Sequence, residues 1–165
     1  MCIICNSFAA IAPRISGGTS AISSALIIYI VYKSETRLRT IYHRIMFGMS
    51  LSDIISSVAM ALSTLPMPVD LPYQPKREFV GTRIGNTATC EAQGFCYIFG
   101  FSTMFAYNTT LCLYNTCAIA FQMEEEKIKR RVEPFLHLIP LFCGFALAVP
   151  PLVLQLYNPV SFDAW

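Results

Sequence analysis

Charged residues are almost absent from four long stretches of the chain. Together these stretches contain one charged residue, Asp53, and they cover residues 15–32, 45–69, 92–123 and 135–162. A soluble amphipathic helix shows water a polar face at every turn, whereas a helix crossing a hydrocarbon core of about 30 Å needs roughly 20 apolar residues. The pattern predicts an all-α membrane protein with four transmembrane helices, at about 12–33, 45–67, 93–123 and 135–157.

Composition supports this reading and excludes other classes of protein. Of 165 residues, 55% are hydrophobic and only 13% are charged, which is not typical of a soluble domain. The net charge of +2 includes no extended basic cluster, so we expect no nucleic-acid partner. His43 and His137 are isolated, and no nucleophile–base–acid set, phosphate loop or paired carboxylates occur. We therefore expect neither enzymatic activity nor a cofactor.

The distribution of Lys and Arg predicts how the helices are oriented in the bilayer. Eight of the 12 basic residues lie in or beside the loops 34–44 and 124–134, and four lie elsewhere. Basic residues favour the cytoplasmic side. These two loops are thus predicted to be intracellular, whereas the amino terminus and the loop 68–92 are predicted to be outside, in a multi-pass protein of the plasma membrane.

Asp53 is the main candidate for a functional residue, because an ionisable side chain inside a membrane helix is costly and usually faces the interior of a bundle. Ser50, Ser57 and Thr64 lie at helical spacings from it and predict one polar face on the second helix. A bound cation or a neighbouring Asn could satisfy the carboxylate. Four-residue spacing of Ser16, Ser20 and Ser24 predicts close packing of the first helix.

The third helix carries amide side chains every seven residues, at Asn108, Asn115 and Gln122. A seven-residue spacing places them on one slowly drifting stripe. They are either part of a polar core with Asp53 or interhelical hydrogen bonds that only hold the bundle together. At the end of this helix, acid–base pairs at i,i+4 within residues 124–131 predict a helical extension into the cytoplasm.

Cys90 is a disulfide candidate, because it is predicted at the outer mouth of the third helix in an oxidising compartment. Cys2 and Cys5 could be its partners, or the partner is absent from the chain. Cys2 and Cys5 lack the company of other ligands that a zinc site requires, so no metal centre is predicted there.

Three segments together resemble the amino-terminal half of a G-protein-coupled receptor of the cyclic-AMP-receptor-like branch. They are His43-Arg44-Ile45-Met46 with Gly48-Met49-Ser50-Leu51-Ser52-Asp53, then Thr64-Leu65-Pro66-Met67-Pro68, then Thr89-Cys90-Glu91-Ala92-Gln93-Gly94-Phe95. The resemblance covers the whole chain in order and implies helices one to four of a seven-helix bundle, so we expect a truncated gene product or fragment. It also implies that Asp53 couples ligand binding to activation, in some receptors through a bound sodium ion, and that Cys90 pins the third helix to the second outer loop. The partners it implies are an extracellular ligand and a heterotrimeric G protein.

Three functions compete at this stage. The leading hypothesis is a transmembrane signalling receptor in which Asp53 and the amide stripe form part of a switch. The alternative is a fragment of an ion channel or transporter with Asp53 on the pathway. A tetraspanin-like scaffold is disfavoured, because tetraspanins keep both termini inside the cell.

Overall fold

The structure, a computed structural model, describes residues 3–68 and 84–157, with side chains from residue 11 onward. Within these ranges the chain is helical and its only extended pairing is a single bridge between Pro68 and Gly85, so the all-α prediction is confirmed. The helices are α1 (Ile3–Lys33), α2 (Ile41–Leu62), α3 (Thr87–Asn115), α4 (Glu125–Arg131) and α5 (Glu133–Val153).

Three helical segments are long and apolar enough to cross a membrane, which indicates a multi-pass membrane protein. They are Ile11–Lys33 within α1, Ile41–Leu62 and Glu133–Val153. The fourth predicted span is not among them. With 29 residues α3 is long enough, but polar side chains such as Asn108, Asn115 and their Thr neighbours lower its mean hydropathy.

The second helix begins and ends four to five residues before the predicted span of 45–67. Thr40 caps its start, where the hydroxyl oxygen accepts a hydrogen bond from the backbone N–H of His43. At the other end Ser63 has a φ of 48° and donates its N–H to the carbonyl of Met60, which closes the helix before Pro66. A residue in this left-handed region ends a helix by turning the chain out of its axis.

The third helix begins six residues before the predicted span because Asn86 and Thr89 form a reciprocal capping box. Its regular part ends at Asn115 and is followed by a π-helical turn, Thr116–Ala120. Gln122, with a φ of 48°, then separates this turn from α4. The predicted continuous extension is therefore wrong: α4 is a separate short helix.

The outer helices also differ from their predicted ranges. α1 begins at Ile3, nine residues before the predicted span, and α5 covers Glu133–Val153, where the sequence predicted 135–157. After α5 the chain turns back, and the hydroxyl of Tyr157 donates to the carbonyl of Ala148 at 2.9 Å. Burial raises the pKa of Tyr157 above its ordinary value of 10.0.

Sequential helices pack antiparallel, α1 on α2, α2 on α3 and α3 on α5, and a glycine lies at each crossing. A Cβ atom on Gly17 would lie 2.6 Å from the carbonyl oxygen of Ser57, and one on Gly100 would lie 2.7 Å from that of Ser52. At Gly144 it would lie 2.0 Å from a side chain of α3. At Gly17 and Gly100 the missing side chain lets two helix backbones approach closely, and such packing is one of the forces that drive helix association in lipid.

A hydrophobic core closes the end of the bundle where α1 ends and α2 begins, here called the basic end. Its buried members come from α2, α3, the π-helical turn, α4 and α5; they are Ile41, Ile45, Tyr107, Cys117, Ile128 and Leu136. Ile128 is 1% exposed and is the buried residue of α4. This side chain anchors the short charged helix to the bundle.

Candidate functional site

The Asp53 carboxylate accepts three hydrogen bonds from serine hydroxyls, two of which belong to the neighbouring helix. Ser24 donates to Oδ2 at 2.6 Å, and Ser20 donates to the same oxygen at 2.8 Å. Ser57, one turn further along α2, donates to Oδ1 at 3.3 Å. Hydrogen bonds to an ionised group are short and about twice as strong as neutral ones. The carboxylate thus joins α1 to α2 within two membrane-spanning segments.

Helix geometry explains why these residues meet. Ser20 and Ser24 are four residues apart, and so are Asp53 and Ser57, so each pair lies on one helix face. α1 ends at Lys33 and the antiparallel α2 begins at Ile41, so Ser20 and Asp53 lie 13 and 12 residues from the basic end (33 − 20 and 53 − 41). At 1.5 Å per residue both are about 18–20 Å along their helices.

The other predicted polar residues, Ser50 on α2 and Thr64 in the turn that follows this helix, are also buried. Ser50 is 2% exposed, and its hydroxyl has no hydrogen-bond partner among the described residues. Thr64 is 6% exposed and accepts a hydrogen bond from Arg14 Nη2 at 3.3 Å. The hydrogen bond between Arg14 and Thr64 therefore adds a second polar contact between α1 and the chain that follows α2.

The amide side chains lie elsewhere. Asn108 lies exposed on α3, Asn115 is exposed at the end of that helix, and Gln122 is exposed beyond it. The face of α3 that packs in the bundle carries instead Thr103 and Thr110. This corrects the expectation that the amides share a polar core with Asp53: serine hydroxyls are the partners of the carboxylate.

A second polar network, not predicted from the sequence, joins three helices near the basic end. The guanidinium of Arg44 on α2 pairs with the Glu133 carboxylate on α5, with Nη2 at 2.8 Å from Oε2 and Nε against Oε1. His137 Nε2 lies 3.8 Å from Glu133 Oε1, and its Nδ1 lies 3.3 Å from the hydroxyl of Tyr107 on α3. The i,i+4 spacing of Glu133 and His137 on an otherwise uncharged helix was the available signal.

Gly48 fixes the position of the tyrosine in this network. A Cβ atom at Gly48 would lie 2.7 Å from the Tyr107 ring, so the missing side chain makes room for the ring against α2. The ring centroids of Tyr107 and His137 are 5.8 Å apart in an edge-on arrangement. The ion pair of Arg44 with Glu133 thus joins the start of α2 to the start of α5. The contacts of Tyr107 with Gly48 and His137 join both of these helices to the later part of α3.

The structure does not support the predicted disulfide. Cys90 has a free thiol that is 1% exposed in the first turn of α3. Of the partners considered, Cys2 lies outside the described residues, and the side chain of Cys5 is not among those described. Among the side chains that the structure describes, those of residues 11–68 and 84–157, His, Cys, Asp and Glu nowhere gather in a group of three that could hold a metal ion.

No protein-family model matches the chain, and no curated protein or solved structure shows significant similarity to it. The resemblance to G-protein-coupled receptors therefore stays a prediction from three short segments. What the chain does has to be argued from its own residues, chiefly from the carboxylate between α1 and α2.

Proposed function

We propose that the chain is a transmembrane signalling receptor, or the amino-terminal part of one, in which the Asp53 contact is a switch between two arrangements of α1 and α2. The observation that carries the proposal is the hydrogen bonding of one carboxylate oxygen by both Ser20 and Ser24. An acid is costly in a membrane helix, so a structural contact alone would be made more cheaply by small apolar residues.

The chemistry of the site suits a two-state contact. A serine hydroxyl can donate to the carboxylate, as here, or turn its oxygen lone pairs toward a cation bound by the same carboxylate. Binding of sodium at Asp53 would then compete with the direct α1–α2 hydrogen bonds. A ligand that binds one arrangement of α1 and α2 more tightly shifts the equilibrium toward that arrangement. The size of the shift is set by the difference between its affinities for the two arrangements.

The topology that the proposal requires includes α3 as a fourth span. α3 is 29 residues long and packs antiparallel between α2 and α5, both of which are apolar enough to cross a membrane. With four spans both termini lie on one side, and the excess of basic residues near 34–44 and 124–134 favours the extracytoplasmic side of the plasma membrane. The extracellular ligand and the heterotrimeric G protein come from the resemblance alone.

This topology has a direct test. Reporter fusions, one at each end of the full chain, distinguish the two arrangements in cells. We expect both reporters to respond as extracytoplasmic. Termini on opposite sides would mean that α3 does not cross the bilayer and would overturn the four-span arrangement.

The function is tested by nucleotide exchange on heterotrimeric G proteins added to membranes that contain the full chain, because basal exchange can be measured without a known ligand. We expect exchange above that of control membranes, altered by Asp53→Asn and Ser24→Ala and lowered by sodium only when Asp53 is present. Ser23→Ala is the matched control, because Ser23 is exposed and donates to the carbonyl of Thr19 in its own helix. Exchange equal to control membranes, or unaffected by Asp53→Asn, would refute the receptor proposal. Ion flux in reconstituted vesicles that Asp53→Asn abolishes would favour the channel or transporter alternative.

A further inference from the structure

An apolar groove of about 750 Å³ lies between α2 and α3, at the end of the bundle away from the basic end. Its walls are mainly aliphatic side chains and ring carbons, with one glutamine, one threonine and one thiol among them. The main contributors are Ile54, Val58, Leu62, Pro66, Ile84 and Cys96. Val58 and Ile84 are 46% and 75% exposed, so among the described residues nothing covers these two walls. In a bilayer such a groove is open to lipid-like molecules.

Gln93 also lines the groove and is the polar residue that stands out, because it is 5% exposed and only half of its amide is satisfied. Its Nε2 donates to the carbonyls of Ala59 at 2.6 Å and of Ser63 at 2.9 Å. These carbonyls belong to the carboxyl-terminal end of α2, so the amide nitrogen caps that helix. The Oε1 atom is buried and has no hydrogen-bond partner among the described residues.

The orientation of this amide is fixed by its neighbours. An amide flip would bring Oε1 against two carbonyl oxygens, which have no hydrogen to donate, and would lose both bonds of Nε2. Oε1 is therefore the acceptor left over, and a buried acceptor without a donor destabilises the folded chain. A donor that occupies the groove at the Gln93 end, and displaces the side chains that now cover Oε1, would satisfy this acceptor.

We propose that the groove between α2 and α3 binds a lipid with a hydroxyl head group, whose hydroxyl donates to Gln93 Oε1 and whose apolar body lies along Ile54, Val58 and Cys96. The apolar walls of the groove favour a ligand with an apolar body, and the unsatisfied Gln93 Oε1 favours a ligand with one hydrogen-bond donor. A sterol and a long-chain alcohol share this chemistry.

The arrangement of the walls sets the direction of the ligand. Gln93 is bonded at the level of Ser63, whereas Ile54 lies nine residues nearer the start of α2. The groove thus extends about 13 Å from its polar end toward the middle of the helix. The hydroxyl would lie near the membrane surface and the apolar body deeper, as an amphipathic lipid is oriented in the bilayer.

The test uses the full chain in detergent and two pairs of compounds that differ only in the hydroxyl: cholesterol with its 3-deoxy analogue, and 1-hexadecanol with hexadecane. Bound ligand is counted by native mass spectrometry, and occupancy is read from protection of Cys96 against N-ethylmaleimide. We expect the hydroxyl compound of at least one pair to bind about three- to tenfold more tightly than its partner. The pair that shows the difference identifies a sterol or an alkyl chain as the ligand class.

Three variants separate the groove from general effects on stability. Val58→Phe fills the groove without touching the bonds of Gln93 and should abolish binding and Cys96 protection, whereas Leu51→Phe, on an exposed part of α2 outside the groove, should change neither. Gln93→Met should reduce the ratio of affinities within each pair of compounds to about one. Loss of the helix cap would weaken the binding of both compounds of a pair alike, so it would not change this ratio. Equal binding within both pairs would overturn the proposal. So would an unchanged result in Val58→Phe, which would mean that the compounds bind at another part of the chain.

Discussion

The contact between Ser24 and Asp53 offers the sharpest prediction about stability. Ser24→Ala removes a hydroxyl that donates to Oδ2 at 2.6 Å from a side chain only 7% exposed. Ser23→Ala removes the neighbouring hydroxyl, which is exposed and bonded within α1. Both substitutions change helix propensity equally, so their difference isolates the bond to the carboxylate.

The magnitude follows from the charge of the acceptor and from the membrane environment. Hydrogen bonds between membrane helices average about 0.6 kcal/mol and reach about 1.7, while bonds to charged groups contribute about 1.5–3 kcal/mol. Ser20 and Ser57 still hold the carboxylate in the variant, which limits the loss. We expect Ser24→Ala to lower the free energy of unfolding by about 1–2 kcal/mol, or the Tm by about 2–8 °C for a chain of this size. Ser23→Ala should stay within about 0.5 kcal/mol of the parent.

The assay is thermal unfolding of the full chain in detergent micelles, followed by circular dichroism, with each serine variant measured in the parent chain and again in an Asp53→Asn background. In the Asp53→Asn background the cost of Ser24→Ala should fall to about half or less, because the acceptor is no longer charged. If Ser24→Ala and Ser23→Ala shift the Tm equally, or if the cost of Ser24→Ala is the same in both backgrounds, the hydrogen bond from Ser24 to Asp53 does not stabilise the α1–α2 contact.

Two further pairs of variants test the packing of the bundle by the same unfolding assay. Gly17→Ala should cost about 1–3 kcal/mol because its Cβ would meet the backbone of α2, whereas Gly18→Ala, with nothing within 4 Å, should be neutral or stabilise by up to about 1 kcal/mol through helix propensity; equal effects would contradict the close α1–α2 crossing. Arg44→Ala should cost about 1–3 kcal/mol because it removes the guanidinium from the Glu133 carboxylate, whose side chain is 14% exposed and whose other neighbour is His137 Nε2 at 3.8 Å, whereas Lys129→Ala breaks an exposed 3.9 Å pair and should cost under about 0.5 kcal/mol. A larger effect at Lys129 would mean that α4, not the Arg44 pair, holds this end together.

The sequence predicts the helices better than it predicts their ends. Runs without charge are sufficient to locate the four long helices, because the bilayer or a helix neighbour must cover them. The early start of α3 was readable from Asn86 and Thr89, which form a capping box. The end of α3 at Asn115 could not be predicted in this way, because the π-helical turn that follows is made of residues that would also suit a regular helix.

The site could have been predicted further by matching depths on adjacent helices. Ser20 and Asp53 are almost equally far from the loop that joins α1 to α2, so their meeting was predictable once the two helices are taken as antiparallel neighbours. The amide stripe failed for a different reason. Two stripes with a seven-residue spacing run along α3, one through Thr103 and Thr110 and one through Asn108 and Asn115, and both contain polar residues. Only the close approach at Gly100 decides which of them faces the bundle.

The central claim is that lipid surrounds the long uncharged helices while Asp53 is held between two of them. Alkaline carbonate extraction of membranes from cells that make the full chain tests this most directly. We expect the chain to stay in the membrane pellet and to enter solution only with detergent. Release into the supernatant by carbonate alone, as a monomer that remains dissolved, would contradict the account.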